Sequence, residues 1–355
     1  MIVTPVPSAE LAPGLPIPRI INGCWQLAST HRHGEGTAPA GDRALAELLD
    51  LAHLGLTTFD AADIYTGVEE LLGALRQRWI AAGGAPESLR LHTKFVPDND
   101  ALPTLDRAYV ARIIDRSRAR LGVERLDLVQ FHWWDFEVPG WLRAAEHLVE
   151  LRSAGAIAEL GVTNFDAAHL TPLLEAGLPL VSNQVQVSLL DRRAFRGTAE
   201  LCREHGIALL AYGTLAGGFL SERWLGRPDP GMALPNRSLI KYRLIIEEFG
   251  GWEAFQELLS TLARTAAKHG VPVPAVATRW VLDQPGVTAA ILGATDASRV
   301  HETLRCFSVS LDEEDRGRIN AHLTRHPGPP GDVYSVERIP GGRHAAIMRM
   351  GLNAA

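Results

Sequence analysis

Four side chains have the types that the reduction of a carbonyl group would need: Asp60, Tyr65, Lys94 and His132. A carbonyl that accepts hydride needs a proton for its developing alkoxide, and a phenol can supply that proton. A nearby lysine favours the phenolate and lowers the pKa of the phenol, while a carboxylate keeps the lysine charged and in place. A neutral histidine can donate a hydrogen bond that orients the carbonyl oxygen. The four residues therefore predict a proton-transfer site in which Tyr65 is the general acid or base.

Each of these residues, taken alone, has an ordinary structural explanation. Asp60 could cap a helix, Lys94 could be a solvated surface charge, and His132 could be a satisfied hydrogen-bonding group. A functional site is favoured for the four together because other predicted strands also end in polar or aromatic residues, namely Trp25, Asn164, Gln184 and Tyr212. In a parallel barrel the carboxyl ends of the strands share one rim, so these residues predict one common site.

Short β-branched segments alternate with longer amphipathic segments about eight times along the chain. Strands are predicted at 19–26, 57–60, 90–94, 126–131, 158–162, 181–186, 207–212 and 288–292. Helices are predicted at 42–54, 68–83, 106–121, 141–154, 166–177, 196–205, 252–269 and 296–305. This alternation indicates parallel βαβ units, and eight of them favour a (β/α)8 TIM barrel with parallel strands over an open, doubly wound sheet. No G-x-G-x-x-G motif follows an early strand, which argues against a Rossmann domain.

Three segments depart from this repeat. Residues 213–250, after the seventh strand, are rich in Gly and Pro and are predicted to form a long functional loop. An additional helix is predicted at 273–284, before the eighth strand, and an extended C-terminal tail at 308–355. We find no linker that would divide the chain, so we predict a single domain over 1–355 with its core at about 18–306.

Composition excludes several classes of partner. The 355 residues carry a formal net charge of −6, which disfavours a nucleic-acid partner because such binding needs a dominant basic face. No apolar run reaches the ~18–20 residues of a membrane span, and the proline-broken N-terminus does not resemble a signal peptide. Cys24, Cys202 and Cys306 are far apart and odd in number, which favours a reducing compartment over a disulfide framework. We therefore expect a cytoplasmic protein without a membrane or nucleic-acid partner.

Several segments, in order, resemble the signatures of the aldo-keto reductase family. They are FDAADIYTGVEELLGALR (59–76), LHTKF (91–95), DLVQFHWW (127–134), LGVTNF (160–165), NQVQ (183–186), LAYGTLAGGFL (210–220) and ILGATDASRVHETL (291–304). Asp60 and Tyr65 stand five apart, as this family places its aspartate and its proton-donor tyrosine, and Lys94 and His132 follow in the family's order. The resemblance implies NAD(P)H-dependent reduction of an aldehyde or ketone, or the reverse reaction, on a small-molecule substrate. It also favours a monomer over a homo-oligomer.

The resemblance implies a nicotinamide cofactor, with NADPH as the default and NADH possible. Thr163 and Asn164 match the pair that hydrogen-bonds the carboxamide, and Gln184 matches their partner on the next strand. Tyr212 matches the ring that stacks on the nicotinamide, and Arg299 matches the arginine that stacks on adenine or pairs with the 2′-phosphate. The implied cofactor contacts are Cys24, Trp25, Asp60, Thr163, Asn164, Gln184, Tyr212, Gly213, Leu215, Gly217, Gly293, Arg299 and Glu302.

The adenosine segment also departs from the family. Members often carry a lysine where Gly293 or Asp296 stands, and the loss of a lysine removes one charge-assisted contact to a phosphate. Asp296 could also repel the 2′-phosphate. NADPH nevertheless remains the expected cofactor, because Arg299 matches the arginine that can pair with the 2′-phosphate.

An aromatic substrate pocket is expected, lined by Trp25, Tyr65, His132, Trp133 and Trp134. In related enzymes the C-terminal segment folds over the mouth of the barrel, so we expect residues near Tyr334, Arg343 and His344 to return to the catalytic face. The alternative is that apolar tail residues such as Ile347 and Met348 pack against an outer helix or another subunit.

Two other functions stay open at this point. A Schiff-base lyase or isomerase could use Lys94, provided that an apolar pocket lowers the pKa of its amine. A nicotinamide-binding regulatory subunit without turnover would keep the same cofactor residues. A metal hydrolase is not expected, because the sequence has no H-x-H motif or clustered ligand pattern, and we predict no metal site.

Overall fold

The computed structural model of the chain describes residues 6–28, 41–293, 297–348 and 351–353. Its strands are β1 (Ser8–Ala12), β2 (Leu15–Pro18), β3 (Ile20–Gly23), β4 (Thr58–Asp60), β5 (Arg90–Phe95), β6 (Leu126–Phe131), β7 (Ile157–Thr163), β8 (Leu180–Gln186), β9 (Ala208–Tyr212) and β10 (Val287–Gly293). Strands β3 to β10 pair in parallel and close into a barrel in the order β10-β3-β4-β5-β6-β7-β8-β9. The predicted (β/α)8 barrel is confirmed.

The helices are α1 (Gly41–His53), α2 (Val68–Ala81), α3 (Arg107–Leu121), α4 (Trp141–Ser153), α5 (Ala167–Glu175), α6 (Thr198–Glu204), α7 (Arg237–Phe249), α8 (Gly251–His269), α9 (Val273–Leu282), α10 (Ala297–Thr303) and α11 (Glu313–Arg325). Apolar residues at helical spacing decide which face is buried, as with Leu45, Leu48 and Leu51 of α1. Local sequence also sets helix ends: the Asp106 side chain caps α3, and Gly122 ends it in the left-handed conformation. No helix in the described ranges is both long and apolar enough to cross a membrane.

Strands β1 and β2 form an antiparallel hairpin that the sequence analysis did not predict. Leu11, Leu15 and Ile17 of this hairpin belong to one apolar cluster with Leu128 and Ile291 of the barrel strands. Because β2 leads directly into the start of β3, the hairpin covers the end of the barrel opposite the carboxyl ends of the strands. Those carboxyl ends are therefore left as the open face of the barrel.

The irregular segments differ from their predictions. Residues 213–250 are not simply a loop, because α7 forms their second half. The helix predicted as additional at 273–284 corresponds to α9, which packs against β10. The additional helices between β9 and β10 are α7 and α8, which pack against each other. The first strand ends at Gly23, and Trp25–Leu27 forms a 3-10 turn. The tail contains the helix α11, which was not predicted and which Asp312 and Asp315 cap at its N-terminus.

Helices α2 and α3 approach each other closely at Gly73, where a Cβ atom would clash with the main-chain oxygen of Arg120. We expect Gly73→Ala to lower the free energy of unfolding by about 1–3 kcal/mol, because the backbone of α3 must shift. Gly317→Ala is the matched control, since Gly317 lies on the exposed side of α11 and an added Cβ meets nothing within 4 Å. Alanine there should raise the free energy of unfolding by about 0.5–1 kcal/mol. Denaturant titration followed by circular dichroism measures both, and equal effects would contradict the close approach.

Candidate functional site

A cavity of about 380 Å³ opens at the carboxyl ends of the barrel strands. Parallel pairing brings these ends to one rim, so residues far apart in sequence meet there. Asp60 ends β4, Lys94 lies at the end of β5 and His132 directly follows β6. The predicted site residues that line the cavity are Trp25, Asp60, Tyr65, Lys94, His132, Trp134, Thr163, Asn164, Gln184, Tyr212, Gly213, Leu215, Gly217, Gly293 and Arg299.

A buried ion pair lies at the base of the cavity. The Lys94 ammonium is 2.5 Å from Asp60 Oδ2 and donates a second hydrogen bond to the Ala61 carbonyl at 2.8 Å. The other carboxylate oxygen of Asp60 accepts hydrogen bonds from the amides of Gln130 and Gln184, each at 2.8 Å. Gln184 also donates to Gln130 Oε1 at 2.9 Å, so strands β4, β5, β6 and β8 share one polar network. Such a network suits a buried charge pair, because both ions keep hydrogen-bond partners.

Gln130 was not among the predicted site residues. It lies within the apolar segment of β6, and no turn or strand end marks it in the sequence. Its side chain points into the barrel because it stands two residues from Leu128, which faces the interior apolar cluster. Alternation along β6 was therefore the signal that could have identified it.

Tyr65 stands beside this ion pair. Its ring centroid is 5.2 Å from Lys94 Nζ, and the Trp25 ring meets it edge-on at 5.2 Å. Its hydroxyl makes no hydrogen bond to any residue that the structure describes. Burial raises the pKa of Tyr65 well above its usual value, and the charge of Asp60 acts in the same direction. The effect expected of Lys94 on this pKa is opposed by burial first and by the charge of Asp60 second, and the net direction is upward.

His132 is held as a neutral imidazole. Its Nδ1 lies 3.2 Å from the carbonyl oxygen of Thr163, and a carbonyl can only accept, so Nδ1 carries the proton. Burial lowers the pKa of His132 to about 3, and the charge of Arg338 adds to this effect. In this tautomer Nε2 is an acceptor, and it has no partner among the described residues. The expectation that neutral His132 donates to a carbonyl oxygen therefore does not fit; Nε2 can instead accept from a hydroxyl group.

The wall formed by β7 to β9 presents amide and aromatic groups. Asn164 has a left-handed backbone with φ of 60°, and its Oδ1 accepts a hydrogen bond from the Tyr212 hydroxyl at 2.8 Å. The side-chain amide N–H groups of Asn164 donate to no described residue and remain available to a ligand. Thr163 Oγ1 donates to the Gln184 carbonyl, while the Gln184 side chain is committed to Asp60 and Gln130.

After β9 the chain turns into a loop with features of an anion site. Gly213 and Gly217 have φ of 71° and 65°, and a Cβ at either position would clash with the Tyr242 ring. The main-chain N–H groups of Thr214, Leu215 and Gly217 donate to no described residue. Successive free N–H groups in such a turn form a concavity that suits phosphate oxygens.

Two arginines line the same cavity near α10. Arg299 was predicted, whereas Arg223, from the loop after β9, was not. Burial lowers the pKa of Arg223, and the positive charge of Arg299 lowers it further, which indicates that the guanidinium groups face a common region. Asp296, which was expected to weaken a phosphate site, lies outside the described residues.

Three predicted residues do not line the cavity: Cys24, Trp133 and Glu302. Cys24 is fully buried and its thiol faces the Asn22 carbonyl. Trp133 is fully buried in the core, where its Nε1 donates to the Val138 carbonyl, so the substrate-pocket prediction for it is wrong. Consecutive residues of an extended segment point to opposite sides, and only Trp134 reaches the cavity. Glu302 is exposed on α10.

The tail contributes residues that were only partly predicted. Tyr334 lines the cavity and meets the His132 ring edge-on at a centroid distance of 5.6 Å. Further along the tail, Ile347, Met348 and Leu352 also line it. Arg343 and His344 do not line it; they contact Glu247 and Glu248 of α7 and fasten the tail to that helix.

Comparison with known proteins agrees with this architecture. Flagellar radial spoke protein 5 of Chlamydomonas reinhardtii is 30% identical over an alignment 352 residues long, and that alignment takes in 82% of this chain. The chain spans only 64% of that relative. Aldo-keto reductase YhdN of Bacillus subtilis is 27% identical over 325 residues, covering 87% of this chain and 91% of that protein. The structure of a glycerol dehydrogenase from Gluconobacter oxydans matches with a TM-score of 0.72 at 26% identity, over 89% of this chain and 94% of that one.

The family model described as the aldo/keto reductase family matches residues 19–324, which include the whole barrel and all of α11 except its last residue. Within that range lie the buried ion pair, Tyr65 and the cavity-lining loop after β9. The chain belongs to the aldo/keto reductase family.

Proposed function

We propose that this protein is an NADP(H)-dependent oxidoreductase that reduces an aldehyde or ketone to an alcohol, or runs the reverse reaction, with Tyr65 as the general acid/base. The observation that carries the proposal is the arrangement of Tyr65, which lines the cavity beside the buried pair of Lys94 and Asp60 and whose hydroxyl bonds to no described residue. The nicotinamide, when bound, supplies or accepts the hydride. The family membership supports the same class of reaction.

The cavity has groups that suit each part of a nicotinamide dinucleotide. Tyr212 offers a ring for stacking, and the free amide N–H groups of Asn164 offer donors for the carboxamide. The main-chain N–H groups of Thr214, Leu215 and Gly217, which donate to no described residue, suit the pyrophosphate. Arg223 and Arg299 suit a 2′-phosphate, because a guanidinium binds phosphate through paired hydrogen bonds. This second arginine supports NADPH although the lysine expected in the adenosine segment is missing; NADH remains an alternative.

The residues of the chain can handle the proton as follows. The raised pKa keeps Tyr65 protonated until the substrate oxygen becomes basic, and the phenol then gives up its proton. The Lys94 ammonium, 5.2 Å from the ring, stabilises the negative charge that is left on the phenolate. Nε2 of His132, which has no partner among the described residues, can accept a hydrogen bond from the hydroxyl group of the alcohol and orient it.

The geometry argues against a Schiff-base mechanism through Lys94. A nucleophilic amine must be uncharged and must present its lone pair to the substrate. Lys94 instead lies 2.5 Å from a carboxylate and donates to the Ala61 carbonyl, both of which stabilise the ammonium form.

Replacement of Tyr65 by phenylalanine tests the proton-transfer role. We expect Tyr65→Phe to lower turnover of an aldehyde by about 10²–10⁴-fold, because the proton donor is lost. The dissociation constant of NADPH, measured by quenching of tryptophan fluorescence, should change less than threefold (roughly the effect of one weak contact). Tyr109→Phe is the matched control, since that hydroxyl accepts from the Asp98 amide outside the cavity and its loss should leave turnover intact.

Near-normal turnover of Tyr65→Phe would remove Tyr65 from the mechanism. Cofactor binding by the wild-type protein without consumption of NADPH at 340 nm, across aldehydes and ketones, would instead indicate a binding subunit. Trapping of a carbonyl substrate on Lys94 by borohydride would favour the Schiff-base reaction.

The pH dependence of reduction follows from the two shifted pKa values. His132, with a pKa of about 3, stays uncharged above about pH 4, and Tyr65 stays protonated up to its raised pKa. The active form therefore does not change between about pH 5 and 9, and kcat for reduction at saturating NADPH should be flat over that range. Circular dichroism over the same range is the control for folding. An inflection near pH 6.5, the ordinary value of histidine, would contradict the assignment of His132.

Cofactor selectivity tests the arginine pair. Arg299→Ala and Arg223→Ala should each raise the dissociation constant of NADPH by about tenfold or more, and that of NADH by less than about twofold, because NADH lacks the 2′-phosphate. Arg203→Ala is the control, since Arg203 is exposed on α6 and pairs with Glu200. Equal losses for both cofactors would mean that the arginines contact another part of the dinucleotide.

A further inference from the structure

Lys241 of α7 lines the cavity and lies within a group of three tyrosines. Its Nζ is 5.0 Å from the ring centroid of Tyr212, 5.6 Å from that of Tyr334 and 5.7 Å from that of Tyr242. It makes no hydrogen bond and no ion pair with any residue in the described ranges. Cation–π contacts of this kind are weaker than the solvation that an ammonium group loses on burial, so they do not replace it. Lys241 therefore lacks the counter-ion that a cation in a partly dry site needs.

The carboxylates near Lys241 make their direct contacts with another cation. Arg193 binds Asp191 at 2.6 Å on one side and Glu337 at 2.7 Å on the other, and all three side chains are buried. Burial lowers the pKa of Lys241, and Glu337 opposes that effect without contacting the ammonium. Arg338, also near the site, adds a positive charge, since its hydrogen bonds go to main-chain carbonyls such as that of Trp133. Arg193, Arg338 and Lys241 carry three positive charges against the two carboxylates, so these five groups have one positive charge in excess, and Lys241 is the cation among them without a direct hydrogen bond in the described ranges.

The position of Lys241 associates it with the catalytic end of the cavity. The Tyr334 ring contacts both His132, at a centroid distance of 5.6 Å, and Lys241, also at 5.6 Å. The two arginines assigned to the 2′-phosphate lie elsewhere, on α10 and on the loop after β9. An anion at Lys241 would therefore be separated from the proton-transfer groups by the width of about one aromatic ring.

We propose that Lys241 binds a carboxylate of the substrate, so that the preferred substrates are aldehydes or ketones that carry a carboxylate several bonds from the carbonyl. This inference rests on the proposed carbonyl reduction and names its substrate class. A single ammonium between aromatic walls matches one negative charge on a flat group better than it matches a phosphate dianion, which needs several donors. The aromatic walls also suit a substrate with a ring between its two polar ends.

The test compares 4-carboxybenzaldehyde with 4-methylbenzaldehyde, which have similar shapes and differ in charge. We expect wild-type kcat/KM to favour the carboxylated aldehyde, and Lys241→Met to reduce that ratio by ~10–100-fold, as the loss of a charge-assisted contact should. Lys241→Arg should restore most of the ratio, because it returns the charge. Lys241→Gln serves as a second neutral variant if Lys241→Met does not fold, as judged by circular dichroism.

Equilibrium binding separates this inference from the proposed function. Benzoate should bind the complex with NADP⁺ in isothermal titration calorimetry, and its dissociation constant should rise by about tenfold or more in Lys241→Met. Benzoate binding that depends on Lys241 in a protein that reduces neither aldehyde would support the anion site and overturn the carbonyl reduction. An unchanged aldehyde ratio in Lys241→Met would overturn the anion site. A loss of NADPH affinity larger than the loss of benzoate affinity would also overturn it and assign Lys241 to the cofactor.

Discussion

The ion pair between Lys94 and Asp60 is the interaction on which the rest of the site depends. Two charges at 2.5 Å with about 5% exposure are stable only if their remaining hydrogen-bonding positions are filled. Gln130, Gln184 and the Ala61 carbonyl fill those positions, and they come from different parts of the barrel rim. The pair is therefore possible only in the closed barrel. In turn it holds strands β4, β5, β6 and β8 in a fixed relation beneath the cavity.

A second buried charge network decides where the tail lies. Arg193 binds Asp191 in its own loop and Glu337 in the tail, although the latter two are 146 residues apart by their numbers in the chain. Burial opposes the ionisation of Glu337, yet Arg193 outweighs it and lowers the pKa of Glu337 to about 2. The tail is thus fixed at residue 337 by charge, which explains why Tyr334 can lie against His132 although its φ of 60° is unfavourable for a tyrosine. The local strain is offset by the buried contacts beside it.

The sequence was sufficient for the barrel, because its strand and helix periods are distinct and its polar residues stand where strands end. It was insufficient where the direction of a side chain decides whether the residue lies in the core or at the cavity. Trp133 and Trp134 are adjacent and identical in type, and only backbone direction places one in the core and the other at the cavity. Gln130 lies inside an apolar strand, and its role depends on three other strands. Helix α7 was hidden by the Gly- and Pro-rich residues before it, so Lys241, which it carries, could not be assigned to the cavity.

The cavity separates charged groups that would bind ligands from uncharged groups that would transfer the proton, and this separation fits the proposed chemistry. The groups assigned to permanent charges of ligands are Arg299, on α10, and Lys241, which the Tyr334 ring separates from His132. They would bind a ground state and a transition state about equally. At the centre, Tyr65 and His132 are both uncharged at neutral pH, because burial raises one pKa and lowers the other. A charged donor at that point would stabilise an anion before the reaction begins. The neutral Tyr65 phenol responds only when negative charge develops on the substrate oxygen, so its interaction energy lowers the barrier itself.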